Sequence, residues 1–115
     1  MVMVYSEDKK ITFELLNKAC ELAKERKEKV NTAIIGKSDD SIANEYISQG
    51  ADNVFILENN FDQFKAEEYS ILIEKTINET GDEIIIIGST KNGKELASRI
   101  AGRMNAGCII DCNHR

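Results

Sequence analysis

Four consecutive isoleucines, Ile84 to Ile87, run directly into Gly88. A β-branched run stopped by glycine reads as a strand buried on both faces, the mark of a parallel sheet sandwiched between helices. Two hydroxyls follow at Ser89 and Thr90, a second glycine stands at Gly93, and an apolar-periodic helix starts near Asn92 or Gly93. Strand, glycine-bearing loop and helix, in that order, make the layout of an α/β anion site. The amides of the first helical turn and the positive end of the helix dipole favour a phosphate or another anion there. The rest of the chain supplies the neighbours that this strand needs.

Met1 to Tyr5 (MVMVY) reads as the first strand, followed by a polar loop from Ser6 to Lys10. Thr12 offers a helix N-cap, and the helix runs to about Lys27 with Leu15, Leu16, Ala19, Leu22 and Ala23 on one face. Val30 to Ile35 is the second strand, closed by Gly36. Ser38, Asp39 and Asp40 supply caps and first-turn charge for a second helix. Its buried side is Ile42, Ala43, Tyr46 and Ile47, and Gly50 stops it. Val54 to Leu57 is the third strand. Phe61 and Phe64 sit in the polar connection after it, placed to cover a sheet edge. A third helix carries Glu67 and Glu68 in its first turn, Tyr69, Leu72, Ile73, Thr76 and Ile77 on its apolar face, and Gly81 at its end. The fourth helix has a core stripe of Leu96, Ala97, Ile100, Ala101 and Met104, with Glu95 and Arg99 as an exposed i,i+4 pair. Gly107 precedes a last short strand, Cys108 to Ile110.

The sum predicts an α/β fold: a three-layer, doubly wound, Rossmann-like parallel sheet of five strands in the order 3-2-1-4-5, joined by right-handed crossovers. In that order the connection from third to fourth strand crosses back over the first. The switch point then lies between the first and fourth strands, and ligands of such sheets sit outside the carboxyl ends there. The loops at that crevice are Ser6 to Asp8 and Gly88 to Gly93.

A chain of 115 residues fits one domain, and 42% hydrophobic content suffices for a core. The net charge of −5 argues against nucleic acid, whose binding calls for a clustered basic face. The basic cluster from Lys24 to Lys29 alternates with acids and reads as the wet end of a helix. No apolar run approaches the roughly 20 residues of a membrane span, and the opening strand pattern is unlike a secretory leader. Cys20, Cys108 and Cys112 are odd in number and too sparse for a disulfide scaffold, which fits a reducing cytoplasm.

Gly88, Ser89, Thr90, Gly93 and Lys94 are the candidate cofactor-binding residues. Two readings stand side by side. In one, the loop's amides and hydroxyls contact a phosphate or the edge of a flavin, with Lys91 or Lys94 adding charge. In the other, Gly88 turns the strand, Ser89 or Thr90 caps the helix, and nothing binds. The pattern is neither a Walker loop nor a dinucleotide fingerprint. Cys108, Cys112 and His114 lack the matched pairs of a zinc site, so no metal site is assigned. Neither a carboxylate pair nor a Ser-His-Asp or Cys-His set stands out, and His114 is badly placed to serve as a rigid base. Self-contained catalysis is therefore not expected.

Two segments resemble one family. Tyr46 to Asn59, YISQGADNVFILEN, is similar to the Y-GADKV-apolar stretch near the third strand of electron transfer flavoprotein alpha subunits. Ile84 to Cys112 is similar to their GAT-xx-GRDLAPR-xAxRL-xAG-apolar-D segment. Lys94 stands where the family usually has arginine, Ser98 where it often has proline, and Ser89 in place of the usual alanine. The resemblance implies that residues 1–115 correspond to the amino-terminal, adenine nucleotide α-hydrolase-like domain, without the C-terminal domain that holds FAD. It also implies an alpha–beta heterodimer passing electrons between flavin dehydrogenases and a redox acceptor, with this domain as scaffold and subunit interface. An alternative is a free-standing protein that binds AMP or ATP, similar to universal stress proteins. Their G-x2-G-x9-G-[ST] pattern is not met, because Gly102 and Gly107 follow Gly93 at the wrong spacing. A third reading is an oligomerisation unit, a homodimer paired through an open sheet edge.

Overall fold

The computed structural model describes residues 1–6, 8–36, 40–57, 65–81, 84–88, 90–103 and 108–112, with residues 103 and 108–112 as backbone. Strands and helices alternate: β1 (Val2–Tyr5), α1 (Lys9–Arg26), β2 (Val30–Ile35), α2 (Asp40–Ser48), β3 (Asn53–Leu57), α3 (Ala66–Thr80), β4 (Ile84–Gly88), α4 (Lys91–Arg103) and β5 (Cys108–Cys112). β3, β2, β1 and β4 lie side by side in that order, all parallel, and the backbone of β5 pairs parallel along the other edge of β4. The register sets Val2 opposite both Val30 and Ile84, and Tyr5 opposite Ile87.

The alternation of side chains along β1 and β4 splits the core into two layers. Val2, Val4 and Ile86 face one way and meet Leu15, Leu16, Ala19 and Ala23 of α1 and Tyr46 of α2. Met3, Tyr5, Ile85 and Ile87 face the other way and meet Ile73 and Ile77 of α3 and Leu96, Ala97 and Ile100 of α4. Both faces of the central strands are therefore dry, which is why the isoleucine run shows no polar alternation. A polar tie crosses from β2 to β1, where the buried Thr32 hydroxyl donates to the Val4 carbonyl at 2.8 Å.

Three local expectations are corrected. Asp8, not Thr12, caps α1: its Oδ1 accepts from the amides of Lys10 at 2.9 Å and Ile11 at 3.2 Å. Thr12 lies inside the first turn, and its hydroxyl donates back to the Asp8 carbonyl at 3.0 Å. Ile47 is 48% exposed, because Tyr46 takes the inward position on the short helix α2. Ala101 is exposed, since the buried stripe of α4 runs through Gly93, Leu96, Ala97 and Ile100. Glu95 does pair with Arg99 at 3.5 Å, and Arg99 also bridges to Glu67 of α3 at 2.8 Å. Ser38, Asp39, Phe61, Phe64, Met104 and His114, to which the sequence pattern gives roles, lie outside the described residues.

Candidate functional site

The carboxyl ends of β1 and β4 meet the first turns of α1 and α4. Gly88 ends β4 against Ser6, the residue after β1. A Cβ on Gly88 would stand 2.9 Å from both Ser6 Oγ and Ile11 Cγ2. Gly93, in the first turn of α4, is tighter still: its Cβ would stand 1.9 Å from the Gly88 carbonyl oxygen. The two glycines thus let α4 sit directly on the end of β4 and let β4 close against β1.

Thr90 caps α4. Its hydroxyl accepts from the Gly93 amide at 2.9 Å, and its carbonyl accepts the first helical bond, from Lys94, at 2.8 Å. The helix consequently begins at Lys91, slightly earlier than its apolar pattern suggests. Lys91 and Lys94 are exposed, and Ser89 lies outside the described residues. Replacing Thr90 with alanine should cost about 1 kcal/mol, the usual worth of an N-cap hydroxyl, with serine restoring most of it. Urea unfolding of the two variants checks this, and equal stability of Thr90→Ala and the parent would contradict the cap.

Across the crevice Ser6 Oγ accepts from the Asp8 amide at 3.1 Å, and the Asp8 carboxylate in turn holds the amides of α1. Negative charge gathers on this side. The phenol of Tyr46, edge-on to Phe13 with ring centroids 5.1 Å apart, is pushed above its ordinary pKa by burial first, then by the charges of Glu45 and Asp8. Lys9 partly offsets them, pairing with Glu45.

Of the predicted contacts, the described structure brings Gly88, Thr90 and Gly93 together and leaves Lys94 on the outer side of the same turn. The Cβ side of each glycine is filled by the chain's own atoms. Sequence reading placed Asp8 in the crevice loop but missed it as the cap of α1. Its signal was an acid two and three residues ahead of the amides it caps, obscured by the more familiar-looking Thr12.

The other family-like segment, Tyr46 to Asn59, does structural work too. Gly50 leaves α2 with φ +124°, and a Cβ there would stand 2.4 Å from Cys20 Sγ. Ala51 is buried in the α1 layer. Asp52 exchanges hydrogen bonds with Val30, its carboxylate accepting from the Val30 amide at 2.8 Å and its own amide donating to the Val30 carbonyl at 2.8 Å. Among the described residues no group of His, Cys, Asp and Glu side chains gathers for a metal, and no helix is long and apolar enough to cross a membrane.

The architecture defines the class first. It is similar to universal stress proteins: one crystallised in complex with cAMP superposes with a TM-score of 0.65 at 13% identity, covering 96% of both chains. Another, from Archaeoglobus fulgidus, gives 0.62 at 16% identity, covering 96% of this chain and 90% of that one. At such identities the likeness is one of fold. Sequence narrows the class. The electron transfer flavoprotein domain matches residues 2–114, and the chain belongs to that family. An electron transfer flavoprotein alpha subunit of Clostridium acetobutylicum is 31% identical, over 96% of this chain and 35% of its own length. A subunit of lactate dehydrogenase (NAD(+),ferredoxin) from Acetobacterium woodii is 33% identical, over 89% of this chain and 25% of its own. The chain thus spans between a quarter and about a third of the length of these relatives.

Proposed function

We propose that this chain is an electron transfer flavoprotein alpha-subunit-like domain, a scaffold and subunit interface for electron transfer through an FAD held elsewhere in the assembly. The observation that carries the reading is the family match across residues 2–114. The structure supports the scaffold part: the family-like residues Gly50, Asp52, Gly88, Thr90 and Gly93 are spent on seating α2, β3 and α4. In this reading the partner is an electron transfer flavoprotein beta-like subunit, the wider complex includes a flavin dehydrogenase or redox acceptor, and the setting is cytoplasmic. Gly88, Ser89, Thr90, Gly93 and Lys94 would present an edge toward the partner-held cofactor, not a closed pocket.

The test has two arms. The isolated chain, incubated with FAD and passed through a gel-filtration column, should elute without flavin. Immobilised, it should retain a purified electron transfer flavoprotein beta subunit. Flavin retention by the chain alone, or no retention of the beta subunit, would count against this reading. The second reading, a free-standing adenine-nucleotide binder, draws on the fold likeness to the universal stress protein crystallised with cAMP. Saturable binding of AMP or ATP with no affinity for the beta subunit would favour it.

A further inference from the structure

On the side of the sheet away from α1 and α2, the outer faces of α3 and α4 carry opposite charge. α3 sets Glu67, Glu68, Glu74 and Glu79 against Lys75, while α4 sets Lys91, Lys94, Arg99 and Arg103 against Glu95. Between the charges of α3 stands Ile71, a large apolar side chain left 45% exposed. A shallow groove of about 430 Å³ follows the same face, lined by Ile71, Glu74, Lys75, Asn78 and Glu79. The order of the charges is as telling as their sign. Every fourth residue of α3 from Glu67 through Ile71 and Lys75 to Glu79 is exposed, as are Lys91, Glu95 and Arg99 of α4. Rows with that spacing form ridges on a helix surface.

Each of the two helices returns the chain to the start of a parallel strand, so within one chain they run the same way. A two-fold axis between them sets α3 antiparallel to α4 of a second copy. In that setting Glu79 meets Lys91, Lys75 meets Glu95, and Ile71 meets Arg99, each pairing made twice. Arg99 is already held by Glu67 at 2.8 Å and Glu95 at 3.5 Å, so its aliphatic stem offers Ile71 a fixed seat. Close approach meets little bulk further along α4, where Ser98 and Gly102 are exposed and nothing lies within 4 Å of the Gly102 Cβ position. We infer that the outer face of α3 and α4 is a docking surface for a second copy of this chain, paired antiparallel about a two-fold axis. The surface lies opposite the α1–α2 layer, so the inference goes beyond the scaffold reading and stands or falls apart from it.

The experiment is sedimentation velocity of the chain from about 1 μM to 1 mM at low and high salt, with Glu79→Lys and Lys91→Glu run singly and mixed. Each swap sets like charges together at both contacts of its own homodimer. A one-to-one mixture of the two variants restores opposite charges at both. Neither swap weakens the monomer through its helix. Glu79 lies in the last turn of α3 and Lys91 in the first turn of α4, so each new charge complements the helix dipole. The parent should dimerise at roughly 10–100 μM, as suits a small interface, and more weakly at high salt. Each single variant should associate at least about tenfold more weakly, and the mixture should return to within about threefold of the parent. A parent still monomeric at about 1 mM would overturn the inference and give the face to another partner. A dimer that both swaps leave intact would overturn it too, and would point to an open sheet edge instead. So would a mixture that associates no more tightly than either variant alone.

Discussion

Gly93→Ala should lose about 3 kcal/mol of stability, at the upper end of what overpacking costs. Helix propensity alone predicts the opposite, since alanine in a helix is worth up to ~1 kcal/mol over glycine. Packing wins because the new methyl would stand 1.9 Å from the Gly88 carbonyl oxygen, a backbone atom held in β4. That oxygen cannot rotate away as a side chain can, so α4 must lift from the sheet and disturb Leu96, Ala97 and Ile100 beneath it. At ~4 °C per kcal/mol for a domain near this size, the midpoint should fall by roughly 12 °C. Gly102→Ala is the internal control. Nothing lies within 4 Å of its Cβ position, and the residue is exposed near the end of the same helix. There propensity should act unopposed and raise stability by about 0.8 kcal/mol. Thermal and urea unfolding of both variants decides the matter. A Gly93→Ala protein as stable as its parent would mean that α4 is not seated on Gly88.

The contrast between these two glycines shows what the sequence makes legible. The isoleucine run announces a doubly covered strand because burial on both faces leaves nothing polar to alternate, and Ile85 and Ile86 do face opposite helical layers. The β3-β2-β1-β4 order follows from chain economy and the handedness of crossovers. Glycine at Gly93, in contrast, is ambiguous on sequence alone. The same letter serves a phosphate cradle or a tight helix seat, and the folded chain shows Gly93 seating α4 on the end of β4. Asp8 illustrates a different limit. Asp8 and Thr12 are both good capping types, and the choice depends on where β1 ends and on Ser6 receiving the Asp8 amide. Ile47 and Ala101 fail for a third reason. Helical periodicity marks a wide apolar stripe, but a nine-residue helix such as α2 presses a narrower face onto the sheet, and Tyr46 alone is fully buried there.

Gly50→Ala carries the other large expected effect, about 3 kcal/mol or more, and its cost has two separable sources. The backbone has φ +124°, where an L side chain is strained by roughly 1–3 kcal/mol. The added methyl would also stand 2.4 Å from Cys20 Sγ. Gly36→Ala isolates the first source, because Gly36 has φ +123° with nothing within 4 Å of its Cβ position. Cys20→Ala in the Gly50→Ala background relieves the second, so the pair should show a favourable coupling of about 1 kcal/mol in a double-mutant cycle. Cys20 matters in its own right, since its thiol donates to the Gly50 carbonyl at 3.3 Å. Burial, and then the Asp52 charge, push that thiol above its ordinary value of 9.0. A folded-state pKa above the unfolded one stabilises the fold fully below the ordinary thiol pKa. That contribution is lost as pH rises through the folded value. The loss should be absent in Cys20→Ala, and comparing alkaline unfolding of the two proteins checks it. Equal destabilisation by Gly36→Ala and Gly50→Ala would remove the Cys20 contact from the account and leave strain alone. A larger loss at Gly50 that Cys20→Ala partly repairs means that the family-like Gly50-Ala51-Asp52 stretch is held by packing between α1 and the turn into β3. Those residues would then encode the seating of β3 and α2 against α1.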